Sequence, residues 1–371
     1  FCSAFFDYNN DGWQDLYIAN DKLDTQNLLY KNNGDGTFTE VGEETGTNLS
    51  MDAMSTTIGD YNNDTWLDIY ITNTVAGNIF LKNNGDGTFS NIAENNGTLF
   101  ESAAWGAVFL DAENDTDLDL YVSGALDGTT SFLPSAFYEN DGIGNYTIPS
   151  SAGFENDTAQ SFSNAIGDIN NDGYPDIAVL NYEPHNIFLW KNITNQNNNW
   201  LKVKLEGIDS NRQGIGSWIE ISINGNKQYN YTLCGEGFLG QNSAYEFFGL
   251  GSASSVDYIK VTWLSGQVDV IENPSINSHI TIIEGGELGI NENQDNNLLV
   301  YPNPGKKFHI KINNFNEKMT LYVTDITGKI LFSTSQHSSE ISIDLSDFNS
   351  GVYFLKIFNQ SQILTKKLII N

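Results

Sequence analysis

The chain has 371 residues, enough for two or three domains that each bury a core. Its formal net charge is −30, from 47 Asp and Glu against 17 Lys and Arg, and four bound dications would still leave it strongly acidic. Such a field repels nucleic acid and anionic lipid, no basic stripe offsets it, and no run of about 18 apolar residues is present to span a membrane.

The opening stretch "FCSAFFD" is neither a Met start nor a secretory signal with a basic front and an apolar middle. It aligns with "MSTTIGD", "GAVFLD" and "SNAIGD" further along, so residue 1 is expected to lie inside a repeat, with more sequence upstream. Cys2 and Cys234 are far apart and read as two unrelated thiols.

Next comes "DYNNDGWQD", which sets Asp7, Asn9, Asp11 and Asp15 at alternate positions and then enters a strand, "LYIAN". Asp, Asn and Gly are also ordinary turn residues, so one such loop decides nothing. The pattern recurs as "DYNNDTWLD", "DAENDTDLD" and "DINNDGYPD", with loop starts 53, 51 and 57 residues apart. Carboxylates gathered this closely repel by roughly 1 to 4 kcal/mol per pair, a cost that a bound cation removes. The spacing therefore predicts a hard-cation site, with side-chain oxygens and the backbone carbonyl of the seventh residue as ligands.

The expected Ca²⁺ ligands are Asp7, Asn9, Asp11, Trp13 and Asp15 in the first loop, and Asp60, Asn62, Asp64, Trp66 and Asp68 in the second. In the third they are Asp111, Glu113, Asp115, Asp117 and Asp119, and in the fourth Asp168, Asn170, Asp172, Tyr174 and Asp176. The last acid falls at loop position nine rather than twelve and a strand follows, which argues against an EF-hand. Thr65 and Thr116 replace the sixth-position Gly, and a β-branched residue resists positive φ, so weaker binding or an altered backbone is expected in the middle two loops. Trp13, Trp66 and Tyr174 are expected to pack between neighbouring units. Trp105, on a predicted inner strand, is expected to pack, with stacking on a sugar in a central channel as the alternative.

Each unit of about 50 residues offers four short strands, one on either side of the acidic loop and a pair around a tight turn, which is the content of one propeller blade. The octapeptide "KNNGDGTF" occurs identically at 31–38 and 82–89, its glycines supplying the positive φ that closes a hairpin. The third unit keeps "YENDGIGNYT", and the pattern dissolves in "WKNITNQNNNW" of the fourth. Loop, strand and hairpin together resemble the FG-GAP/VCBS repeats of integrin α-subunits and secreted bacterial proteins, over residues 1–199. The resemblance implies an arc of a seven-bladed β-propeller, truncated at its N-terminus, in which calcium is structural.

Residues 200–286 alternate as β-strands but carry no acidic loop. "SNRQGIGSWIEI", "CGEGFLGQNSAYEFFGLG" and "VDYIKVTWLSGQVDVIEN" resemble the ASPIC/UnbV domain of cartilage acidic proteins. The Gly-rich run "CGEGFLGQ" has no helix after it, so close backbone packing is expected there rather than anion binding. Residues 287–297 have linker composition. Over 298–371, "YPNP", "DITGK", "GVYFLKI" and "KKLII" suggest a small Ig-like β-sandwich and resemble the type A sorting domain of the type IX secretion system of Bacteroidota. That resemblance implies Sec and type IX export to the outer surface or the medium, with the secretion machinery as partner.

The chain is thus expected to be all-β throughout. Its four histidines, His185, His279, His309 and His337, never pair at i, i+4, and neither a G-x-S-x-G elbow nor a phosphate loop occurs. His185 beside Glu183 reads as loop polarity, and no catalytic residue is assigned. The expected function is a secreted calcium-binding module for adhesion or for an extracellular glycan or protein ligand. A surface polysaccharide-degrading enzyme or its glycan-binding subunit is the alternative, and a purely structural surface component a third reading.

Overall fold

Every acidic loop joins two antiparallel strands. The computed structural model describes residues 2–124, 133, 135–150, 152–154, 157–194, 197–286, 298–312, 319–325, 328–358 and 363–370. The first loop links Cys2–Phe6 to Asp15–Ala19, and Leu28–Asn32 and Phe38–Glu40 complete a four-stranded sheet in that order. Thr56–Gly59, Asp68–Ile71, Ile79–Asn83 and Phe89–Asn91 repeat it, as do Ala104–Leu110, Asp119–Gly124, Ser135–Asn140 and Tyr146–Thr147. The fourth sheet has three described strands, Ser161–Gly167, Asp176–Asn181 and Phe188–Trp190. In the first three sheets, turns at Gly34, Gly85 and Gly142, all at positive φ, let the third and fourth strands meet as hairpins.

Successive sheets touch through their first strands, which form the inner side of the array. Apolar residues of neighbouring sheets interdigitate between them. Tyr61, Phe80, Phe109 and Leu120 make one such layer, and Leu110, Tyr121, Phe137 and Ile177 another. Asp119–Gly124 is accordingly buried on both faces. After the first two hairpins the chain curls into single helical turns, Gly42–Thr45 and Ala93–Asn96, stopped by Gly46 and Gly97 in the left-handed region.

The following domain pairs two sheets around one core. Its first sheet orders Glu246–Gly251, Asn199–Glu206 and Ser278–Ile283, the last two parallel. Its second orders Asn226–Tyr231, Trp218–Ile223, Tyr258–Thr262 and Val268–Glu272. Leu201, Val203, Ile219, Ile221, Val261 and Trp263 fill the space between. These strands and the four sheets form one compact unit, Phe1–Asn291.

The second unit, Glu292–Asn371, is a sandwich with its own core. Leu298–Tyr301, Lys307–Ile312 and Glu340–Asp344 form one sheet; Ile330–Gln336, Met319–Thr324, Gly351–Phe358 and Ile363–Ile370 form the other. Strand Lys307–Ile312 shows the strict alternation of a half-buried strand, with Phe308, Ile310 and Ile312 inward.

Candidate functional site

The four acidic loops share one backbone. Their fourth residues, Asn10, Asn63, Asn114 and Asn171, all have φ between 55° and 57°. At the sixth position Gly12 and Gly173 have φ of 86° and 89°, and Thr65 and Thr116 adopt 73° and 93°. The expected change of backbone in the middle loops is therefore overturned, because the amides of Thr65 and Thr116 donate to Asp60 and Asp111 just as Gly12 donates to Asp7, at 2.8 to 2.9 Å. The surrounding hydrogen bonds over-determine a conformation that costs a β-branched residue about 1 to 3 kcal/mol.

Within each loop the acids have different places. The first, Asp7, Asp60, Asp111 or Asp168, accepts the amides of the fifth and sixth residues. The ninth, Asp15, Asp68, Asp119 or Asp176, is buried and accepts the amide of an Asn at the end of the third strand or, for Asn192, just past it: Asn32, Asn83, Asn140 or Asn192, at 2.7 to 2.9 Å. Third and fifth residues form a more exposed rim, where Asn9, Asn62 and Asn170 donate to Asp11, Asp64 and Asp172. Among the described residues no three His, Cys, Asp or Glu side chains group tightly enough to hold a metal by themselves.

Burial dominates the electrostatics. It pushes Asp15 and Asp60 up to about 7 and Asp68 well above the carboxylate range, with the neighbouring loop acids adding to each. Asp68 Oδ2 is buried and accepts no hydrogen bond of ordinary geometry. In the third loop burial raises Asp111 and Asp119 well above their ordinary value, and Glu113 adds to Asp119. Asp117 lies near 7, raised by burial and then by Asp115, Glu113, Glu139 and Asp141. An oxygen-rich floor with a surplus of negative charge is a donor set suited to a hard dication.

The third-strand Asn is a site residue that the loop spacing does not reveal. Asn83 Nδ2 donates to the Tyr8 carbonyl of the preceding blade at 2.8 Å and its Oδ1 accepts the Gly85 amide, so one side chain ties loop, hairpin and neighbouring blade. Asn192 makes the corresponding link to the Ala112 carbonyl at 2.8 Å. Its recurrence after Lys or Glu before each hairpin was the available signal. Trp13 does not pack between blades: it is 52% exposed and lies over Gly34 of its own hairpin, and Trp66 covers Gly85 likewise. The second loop residue fills the gap instead, with Tyr8 against Phe89 of the next sheet at 6.3 Å and Tyr61 against Tyr146 of the next at 6.4 Å.

The domain of residues 199–286 covers all four loops. Gln14 beside the first loop donates to Tyr231 Oη, and Asn63 of the second accepts the Tyr229 amide. In the third, Asn114 O accepts the Gly251 amide at 2.8 Å. In the fourth, Lys202 pairs with Asp168 and the Trp200 indole lies on Gly173. The Gly-rich run makes the close approach expected of it, but against the blades. Gly240 lies against the Asn164 carbonyl and Gly237 against that of Ala107, with Asn242 and Ser243 bonded to Ile166. Phe238 meets Trp105 edge to face at 4.9 Å, so Trp105 packs against this run, as expected. Cys2 and Cys234 are free, and His185 and Glu183 lie in an exposed turn.

Between this run and the blades is a cavity of about 60 Å³ lined by Glu236, Glu246 and Asp111 among others. Burial raises Glu236 to about 7, and burial with the Glu236 charge raises Glu246 to about 8. A carboxyl raised in the folded state binds more protons folded than unfolded, so stability falls as pH rises from the ordinary Glu range through 7 to 8. In excess calcium, Glu246→Gln is expected to flatten that fall and to stabilise the protein by about 2 kcal/mol at pH 9, with little effect at pH 5. Thermal melts at the two pH values check this; an equal shift at both would refute it.

Comparison with known proteins agrees with this architecture. FG-GAP-like repeat models match residues 7–71 and 60–122, an "ASPIC and UnbV" model matches 207–288, and a "Secretion system C-terminal sorting domain" model matches 299–371. No curated protein matches. Among solved structures, PorZ, a surface component of the type-IX secretion system of Porphyromonas gingivalis, aligns at 13% identity and TM-score 0.29 over 99% of this chain and 58% of its own. The extracellular domain of a one-component system of B. thetaiotaomicron aligns at 10% and 0.29, over 100% and 57%. The chain thus spans less than three fifths of these structures. The sorting domain directs its carrier through the secretion machinery to the cell surface or the medium. This is a secreted all-β protein composed of FG-GAP-like repeats, an ASPIC/UnbV domain and a C-terminal secretion sorting domain.

Proposed function

We propose that the protein is a calcium-stabilised propeller that serves outside the cell as a binding module, its blades part of the seven-bladed wheel that the resemblance implies. The observation that supports calcium is the repeated pair of buried acids under an exposed oxygen rim, with Asp68 Oδ2 left without a donor. Asp7, Asn9, Asp11, Asp15 and the Trp13 carbonyl would hold the ion in the first loop, with the corresponding residues in the second and third. The ion supplies positive charge only; the chain supplies position, since each loop lies under the ASPIC/UnbV domain. External calcium near millimolar suffices, because extracellular modules work at about 10⁻⁴ to 10⁻³ M.

For ligand binding the supporting feature is a cleft of about 610 Å³ between the third and fourth blades. Phe137, Phe154 and Trp190 wall it, with ring centroids 5.1 to 5.9 Å apart, and Glu139 and Lys191 line it as well. Aromatic faces with a few polar groups suit a glycan or an aromatic-bearing peptide. A glycan panel read for binding and for new reducing ends tests this. Binding without turnover, weakened about tenfold or more by Trp190→Ala, is the expected result. New reducing ends would favour a polysaccharide-degrading enzyme, and silence on glycan and protein panels a purely structural role.

A further inference from the structure

The fourth acidic loop differs from the other three in what faces its first acid. Asp7, Asp60 and Asp111 accept backbone amides. Asp168 accepts the same two, from Asp172 at 3.1 Å and Gly173 at 2.8 Å, and its Oδ2 also takes Lys202 Nζ at 2.6 Å. Neither side chain is open to solvent, at 3% exposure for Lys202 and 1% for Asp168. The nearest counterpart in the first loop is Lys31, 3.8 Å from Asp11 and 40% exposed.

The ammonium is held by construction. The rings of Trp200, Tyr245 and Phe247 surround it at 5.3, 5.5 and 5.9 Å, a distance at which their faces attract a cation. Trp200 itself lies on Gly173, where any Cβ would stand 2.0 Å from the indole. A buried Lys without its carboxylate, or this carboxylate without its Lys, would be an uncompensated charge. A calcium ion on Asp168 would lie within about 6 Å of the ammonium, given Ca–O contacts of about 2.4 Å, and the two would repel.

We propose that Lys202 is the resident cation of the fourth acidic loop, taking the part that calcium plays in the first three. The last blade is then locked to the ASPIC/UnbV domain at all calcium concentrations, and the other loops tighten only when the ion is present. The contrast rests on the calcium reading above, but the role of Lys202 does not.

Amide hydrogen exchange of the full chain, with EDTA and with calcium, reports each loop separately. In the wild type, loops at 7–15, 60–68 and 111–119 are expected to slow about tenfold or more with calcium, while 168–176 is protected in EDTA and does not change. In Lys202→Met the fourth loop should lose protection in EDTA and regain it with calcium, and Lys202→Arg should behave as the wild type. A fourth loop that responds to calcium like the others in the wild type overturns the proposal and leaves the calcium reading intact. If no loop responds and the fourth alone is protected, the calcium reading fails and the role of Lys202 stands. If no loop responds and the fourth is no better protected, both fail. The wild-type pattern decides even if Lys202→Met does not fold.

Discussion

Stripping calcium with EDTA at pH 7.5 is expected to lower the melting temperature of the unit formed by the repeats and the ASPIC/UnbV domain by about 13 °C. A site at a hundredfold excess of ligand over Kd contributes about 2.7 kcal/mol, and three such sites about 8 kcal/mol. For a unit of this size each kcal/mol moves the midpoint by roughly 1.6 °C, since the unfolding entropy grows with chain length. With affinities of about 10⁻⁴ M the excess is reached near 10 mM calcium. The physical source is the acid set itself: burial and the neighbouring acids raise Asp15 and Asp60 to about 7 and Asp68 higher, so without a cation the folded protein must either take up protons or hold like charges in partial burial. Calorimetry with and without chelator measures the shift. An unchanged midpoint would remove the metal from the account, and Asp11→Ala melting like the parent in calcium would remove the first loop.

Gly249→Ala is expected to loosen the contact between the ASPIC/UnbV domain and the third loop. A Cβ there would stand 1.9 Å from Asp111 Oδ2 and 2.5 Å from backbone atoms of Asn114. No rotamer relieves a clash with backbone, and Asp111 is fixed by the Asp115 and Thr116 amides. The ASPIC/UnbV sheet must then lift off the third loop, breaking the Gly251 amide bond to Asn114 and opening the Glu236 and Glu246 cavity to water. The expected cost is about 3 kcal/mol or more. Limited proteolysis should cut the 234–243 run in the variant and spare it in the wild type. Gly167→Ala, on a strand at ordinary φ where a Cβ meets nothing within 4 Å, is the control for the substitution without a clash. A Gly249→Ala protein that melts with the control would show that the interface is looser than these distances state.

Much of this was legible in the residues because it is local. Strand alternation, the Asn-Gly-Asp-Gly hairpins and the spacing of Asp7, Asn9, Asp11 and Asp15 each need only a few consecutive positions. The left-handed Thr65 and Thr116 were not legible, since propensity argues against them and only amide bonds to Asp60 and Asp111 enforce them. The places of Trp13 and Tyr8 were not legible for a related reason: a loop position does not say which side chain faces the next blade, and the Tyr does so while the Trp lies on its own hairpin.

Alone, the order of residues determined the three-part composition, the all-β character and the four acidic loops, because a repeated spacing fixes backbone conformation wherever it recurs. It also determined the export address, which is a short-range pattern of the last 73 residues matched. Only the tertiary structure decided that the ASPIC/UnbV domain lies on the loops, that the Gly-rich run is pressed along the inner strands, and that Lys202 answers Asp168 from 34 positions away. Those contacts join strands that pair separately and meet only when apolar faces are buried, so no local pattern could encode which charge would find which.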